Sequence, residues 1–111
     1  MAHEDYTVYL GHMLDAARWV ERRVAGVSRA EFDQNIDMQF AVAHHLQIIG
    51  EAARKVDETD RNVLPQIPWR QITGMRHRIV HDYTRLNLNI VWKTSTEDIA
   101  PLIAELSKIV S

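Results

Sequence analysis

Apolar residues recur along this chain at three- and four-residue steps, and nowhere do they alternate at two-residue steps over the length of a strand. From Asp5 to Ala25 the apolar set is Tyr6, Tyr9, Leu10, Met13, Leu14, Ala17, Val20 and Val24, with Asp15, Arg18, Glu21 and Arg22 between them. This spacing predicts an amphipathic helix that ends before Gly26, a residue suited to a left-handed C-terminal cap. Ser28 and Glu31 form a capping-box pair for a short second segment, and Asn35 or Asp37 can cap a third. The third is predicted to run to about Asp57, burying Phe40, Ala43, Leu46, Ile49, Gly50, Ala53 and Val56.

The stretch from Thr59 to Pro68 reads as a connection, because Pro65 and Pro68 remove donors and restrict the residues before them. Pro68 suits the first turn of a helix predicted to reach Val80 or Asp82. A last helical region is expected from Asn87 or Asn89 to Val110, kinked at Pro101 or divided, with a second cap near Thr94 to Thr96. These elements predict an all-α, up-down bundle of four or five helices, held in a single domain over residues 1–111. Gly11, Gly50 and Gly74 fall inside predicted helices, each at a cost of about 1 kcal/mol relative to alanine. Close approach of another helix backbone, within the bundle or across a subunit boundary, would offset that cost.

Composition narrows the class. The 111 residues are 46% hydrophobic and 25% charged, the profile of an ordinary globular protein. With no cysteine there is neither a disulfide framework nor a thiolate metal site. No apolar run approaches membrane-spanning length, and the first residues lack a signal-peptide core, so a cytoplasmic protein without a membrane association is expected.

Charge is distributed unevenly. Residues 69–85 hold four Arg against one Asp in a chain whose net charge is −2. A near-neutral total argues against wrapping long nucleic acid, yet it permits a small basic cleft that grips one or two phosphates. Within the stretch the pattern is Arg76-x4-His81-x-Tyr83. On a straight helix, residues five apart are turned about 140° from each other, so Arg76 and His81 do not share a face. They converge if the helix ends near His81, or if two subunits present the stretch to each other. A helix ending between His81 and Tyr83 would put that pair on one side of an extended exit segment.

The residue types suit RNA cleavage without a metal. Arginine holds non-bridging phosphate oxygens by bidentate hydrogen bonds and favours the charge that develops in the transition state. Histidine, titrating near neutrality, takes the 2′-hydroxyl proton or protonates the 5′-oxygen. The bland alternative is a solvated basic face with a histidine satisfied at a helix end. His77 and His81 have the spacing of two ligands on one helical face, but Arg78 stands where a metalloprotease has Glu, and the nearby arginines repel a cation; no metal or other cofactor is expected. No Glu is followed by His three residues later, so the di-iron signature is missing. His44 and His45 diverge on a helix, one expected to be exposed and one semi-buried. Trp19, Trp69 and Trp92 read as packing residues, with base stacking by Trp69 or Trp92 as the alternative.

The segments M-R-H-R-I-V-H-D-Y and L-N-L-N-I-V-W, together with Q-I-I-G-E-A-A-R-K-V, I-P-W-R-Q-I-T-G-M-R and a Pro-containing final helix, resemble the HepT-like branch of the HEPN superfamily over nearly the whole chain. That branch is the toxin half of toxin–antitoxin pairs. The resemblance implies a homodimeric helical bundle whose motif helices line a shared cleft, and a ribonuclease with Arg76 and His81 as the catalytic pair. It also implies a small nucleotidyltransferase-fold antitoxin as partner, able to transfer AMP to the motif tyrosine, here Tyr83. His77, Arg78, Asp82 and Arg85 flank the motif and are candidate auxiliary contacts to RNA or AMP; a role for His77 is not carried by the resemblance. The competing classes are a protein that is chiefly bound and modified by its nucleotidyltransferase, and a non-catalytic helical adaptor subunit.

Overall fold

The computed structural model of the chain describes residues 5–82 and 84–110. Helix α1 spans Tyr6–Val24 and opens on Asp5, whose carboxylate accepts from the Thr7 amide at 2.9 Å. Gly26, at φ 74°, turns the chain after it, as the left-handed cap required. The short α2, Arg29–Asp33, begins with the expected capping box: Ser28 Oγ accepts from the Glu31 amide at 3.1 Å, and the Ser28 amide donates to Glu31 Oε1 at 3.0 Å. Asn35 caps α3, Ile36–Arg54, by accepting from the Met38 amide at 2.9 Å.

α1 packs along α3 and against the C-terminal helix, so the two long helices and the last one enclose the core. Leu10, Met13 and Val20 from α1 meet Val42, Leu46 and Ile49 from α3 there, all fully buried. Phe40 departs from its expected core position. It is 52% exposed, because its place on α3 faces the hollow beside the basic stretch and not α1.

The connection after α3 is more ordered than its prolines suggest, since Glu58–Asn62 forms the short α4. Arg61 reaches back from it, its Nη2 donating to the carbonyl of Ala53 at 3.2 Å near the end of α3. Pro68 is the cap residue immediately before α5, Trp69–Thr73, one position outside the first turn.

The expected single helix through the basic stretch is instead two short helices and a ribbon. Gly74 separates α5 from α6, Met75–Ile79, so it lies at a break and not inside a helix. Val80–Asp82 (β1) then pairs antiparallel with Arg85–Leu86 (β2), a two-stranded ribbon that the periodicity gave no hint of. The physical reason is local competition for the backbone. The Ile79 carbonyl accepts from the Asn87 amide at 2.7 Å in place of a helical partner, while Asp82 and Asn87 bind main-chain amides with their side chains.

Asn87 caps α7, Leu88–Lys93, which passes through a π-helical turn, Thr94–Asp98, into α8, Ile99–Ser107. Pro101 lies in the first turn of α8, just beyond the widened turn. A proline presses on the carbonyl four residues earlier and cannot hydrogen-bond to it, and the π turn is where the chain absorbs that defect without a second cap.

Gly50 is where close approach is real: a Cβ there would lie 2.9 Å from the Ile72 carbonyl oxygen and 3.4 Å from Met75 Cβ, so α5 and α6 seat directly on α3. Gly11 has nothing within 4 Å, and no contact among the described residues explains it. Among the described residues no helix is long and apolar enough to cross a membrane.

Candidate functional site

Arg76 occupies the second position of α6, the helix that Gly50 allows to lie against α3. Its side chain is exposed, and among the described residues it has no carboxylate or hydrogen-bond partner. It stands between two hollows that run along α3 and share His44 and Gln47 as well as Arg76. The first, about 440 Å³, lies towards α1 and is lined also by Tyr9, Ile48 and Glu51. The second, about 350 Å³, lies towards the ribbon, with Phe40, Val80, Asp82 and Arg85.

Three arginines elsewhere are committed to structure. Arg29 pairs with Asp33 at 2.8 Å, and Arg54 donates twice to the Thr73 carbonyl, at 3.1 and 2.9 Å, closing the end of α5. Arg85 donates to Asp82 Oδ2 from Nε at 3.2 Å and from Nη2 at 3.1 Å. An arginine left without a counter-ion on a groove floor is a ready anion site.

Asp82 organises the ribbon. Its Oδ1 accepts from the Thr84 amide at 2.8 Å and from the Thr84 hydroxyl at 2.7 Å. The two Thr84 hydrogen bonds, helped by Arg85, hold the Asp82 carboxyl down at about 2. With both oxygens occupied by its own ribbon, Asp82 is a positioning residue rather than a free ligand.

His81 is exposed on β1, beyond the end of α6. The helix ends at Ile79, two residues earlier than a break between His81 and Tyr83 would have put it. The ribbon is irregular between Val80 and Asp82, both of which line the second hollow, and His81 between them does not line it. Arg76 and His81 of one chain are therefore not gathered into one hollow. The same helix end removes the four-residue ligand spacing of His77 and His81, and among the described residues no three His, Asp or Glu side chains are grouped as a metal would need. His77 is exposed on α6; Arg78 is half-buried and lines a small crevice with Asp98 and Ile99 on the side of α5 and α6 that faces α8. Tyr83 lies outside the described residues.

Of the adjacent histidines, His44 is exposed on the groove and His45 is half-buried. His45 stacks flat on Trp19, ring centroids 3.6 Å apart and 5° from parallel, with Nδ1 2.8 Å from the Ala41 carbonyl. The bond to a carbonyl requires the proton on Nδ1. The tryptophans are structural. Trp69 Nε1 donates to the Leu64 carbonyl at 3.0 Å, and Trp92 packs on Phe32 with centroids 5.1 Å apart. Of the groove positions along α3 and its cap, Phe40, His44, Gln47, Glu51 and Lys55, the sequence singled out only His44 and, as a core residue, Phe40. Their steps of four, three, four and four residues were a legible signal, but a polar stripe of that kind on a helix is ordinarily just its solvated face.

These features define a helical protein with an exposed arginine, unpaired among the described residues, on a groove that His44 also lines. A profile of the family described as Ribonuclease HepT-like matches residues 13–109. The chain belongs to the HepT-like ribonuclease family of the HEPN superfamily. It is 32% identical over 101 residues to a protein of Caldanaerobacter subterraneus subsp. tengcongensis named as a candidate RNase, covering 91% of this chain and 90% of that one. A probable ribonuclease HepT of Thermococcus cleftensis is 32% identical over 108 residues, 97% of this chain and 96% of the relative. A Methanocaldococcus jannaschii protein, also named as a candidate RNase, is 29% identical over 106 residues, 96% of this chain and 97% of the relative. No solved structure matches at a significant level.

Proposed function

We propose that this chain is a cytoplasmic RNA endonuclease, a single HEPN-like domain that works without a metal and serves as the toxin of a toxin–antitoxin pair, with Arg76 and His81 as its catalytic residues. The observation that carries this reading is Arg76 itself: a permanent cation, exposed, with no counter-ion among the described residues, at the junction of two hollows. The scissile phosphate sits on its guanidinium. The 2′-hydroxyl gives up its proton and its oxygen bonds to phosphorus, the bond from phosphorus to the 5′-oxygen breaks, and that oxygen takes a proton. His81 serves one of the two transfers. The products are a 2′,3′-cyclic phosphate and a 5′-hydroxyl.

That His81 lines neither hollow shared by Arg76 in its own chain supports a homodimer in which each cleft draws Arg76 from one copy and His81 from the other. A nucleotidyltransferase antitoxin is the proposed partner, and Tyr83 the proposed acceptor of AMP. Tyr83 lies in sequence between Arg78 and Arg85, and an adenylyl group on it would compete with RNA phosphate for the cations of this stretch. His77, Arg78 and Arg85 remain auxiliary contacts to RNA or AMP in this reading, and Asp82 acts through the ribbon.

The experiment is RNA cleavage by the purified chain in excess chelator, with Arg76→Ala and His81→Ala as comparisons. Loss in both variants is expected, and equal cleavage by His81→Ala would remove the mechanism. Intact mass after incubation with the nucleotidyltransferase and ATP tests the acceptor: AMP still present on Tyr83→Phe would move it elsewhere.

A further inference from the structure

The two hollows that share Arg76 differ in their walls. The ribbon side sets Phe40, Val80 and Leu86 beside Asp82, Thr84 and Arg85, three polar groups already engaged with one another. The α1 side has an apolar wall of Tyr9, Ile48 and Ala52, with His12 beside it, whose ring meets the Tyr9 ring edge-on with centroids 6.3 Å apart at 76°. Its volume, about 440 Å³, falls in the range of small-ligand sites. At its polar margin stand Gln47, Glu51 and Lys55, none of which has a hydrogen-bond or ion-pair partner among the described residues.

An aromatic ring and an apolar wall beside a phosphate-holding arginine are what a nucleobase next to a bound phosphate needs, because every base has a π face that stacks on an aromatic ring. Glu51 then restricts which base. An ionised carboxylate repels the phosphate and can only accept hydrogen bonds, so a base must bring N–H donors to it. Guanine alone among the four RNA bases offers two adjacent donors on one edge, N1–H and the 2-amino group, to match both carboxylate oxygens. The Gln47 amide can donate to its O6. We infer that this hollow is a base subsite of the RNA-cleaving site that takes guanine in the nucleotide adjoining the phosphate on Arg76, with Tyr9 as the stacking platform and Glu51 as the specificity-determining residue. The inference rests on the ribonuclease reading for what Arg76 holds.

Binding without cleavage tests it separately. Guanosine 3′-monophosphate, the adenosine, uridine and cytidine equivalents, and inorganic phosphate are each titrated into the full chain and followed by amide chemical shifts. The guanosine nucleotide should bind about ten-fold more tightly than the other three, with the largest shifts at residues 9, 48 and 51. Glu51→Gln, an exposed change that leaves the fold alone, should abolish that preference. Tyr9→Ala should weaken all four nucleotides roughly ten-fold and Tyr9→Phe should not. Inorganic phosphate binding as tightly as the guanosine nucleotide, or a guanine preference untouched in Glu51→Gln, would overturn the subsite. Guanine binding by a chain that leaves RNA intact would keep the subsite and remove the cleavage reading. RNA cleavage at full rate by Tyr9→Ala, with no base preference in either protein, would do the reverse.

Discussion

Gly50 and Ile72 approach so closely that the Cβ of any other residue at position 50 would stand 2.9 Å from the Ile72 carbonyl oxygen. The contact sets the distance between α3 and the α5–α6 segment, and with it the place of Arg76 over the groove. The obstacle is backbone, which cannot swing aside as the end of a side chain can.

Gly50→Ala should therefore destabilise the protein by about 1–2 kcal/mol, overpacking outweighing the gain in helix propensity. Gly11→Ala, with nothing within 4 Å, should stabilise it by up to about 1 kcal/mol. Thermal unfolding of the two variants beside the parent checks the opposite signs. A stabilised Gly50→Ala protein would mean that α5 and α6 are not seated on α3 as described.

Asp82 ties the ribbon together, and its carboxyl is held at about 2 by Thr84 and Arg85, below the usual carboxylate value near 3.9. A depressed folded value means that the contribution is fully present above about pH 4 and is lost as pH falls towards 2. The Thr84 amide resonance should move, and its hydrogen exchange quicken, over that acid window. Asp82→Ala should show the loosened state already at pH 7, whereas Asp82→Asn, which keeps a carbonyl oxygen for Thr84, should show less of it.

Mixing separates a composite cleft from a site within one chain. Arg76→Ala and His81→Ala should each cost about 10²–10⁴ in rate, while shifting stability by no more than about 0.5 kcal/mol, because neither side chain has a partner among the described residues to lose. If each cleft takes its arginine and histidine from different copies, co-refolding the two variants should restore roughly a quarter of the parent rate through mixed dimers with one intact cleft. No recovery, with mixed dimers demonstrated by mass, would return both residues to one chain.

Arg54 closes the last turn of α5 through the Thr73 carbonyl, one residue before Gly74 and three before Arg76. Arg54→Ala should cost about 0.5–1.5 kcal/mol. Its signature is local: faster amide exchange at residues 74–76 with little change in the core of α1. Uniform acceleration would mean that the helix break does not depend on this cap.

Much of the helical framework was legible because capping and burial are local or periodic. Ser28 with Glu31, and Asn35, cap the helices their types announced, and Leu10 to Val24 bury on the spacing of one face. The basic stretch was not legible in the same way. Its residues allow a helix to Asp82, and only the Asn87 amide, five residues further on, captures the Ile79 carbonyl and folds the segment back as a ribbon. Phe40 fitted the core pattern of α3 and is exposed, because periodicity reports which residues share a face and not what covers that face. The groove escaped for a related reason: Tyr9 and His12 meet Gln47, Glu51 and Arg76 from three helices, and no spacing along one helix records that meeting.

By itself the sequence determined the class of fold, the helix starts, the chemistry gathered between residues 69 and 85, and the family to which the chain belongs. Those follow from side-chain type at short separations and from the order of residues. The tertiary structure alone decided where α6 stops, that Arg76 has no counter-ion among the described residues on a groove lined by α1 and α3, and that His81 lines neither of the hollows Arg76 shares. Each of these depends on groups distant along the chain competing for the same backbone or the same space, and that competition is settled only when the helices pack.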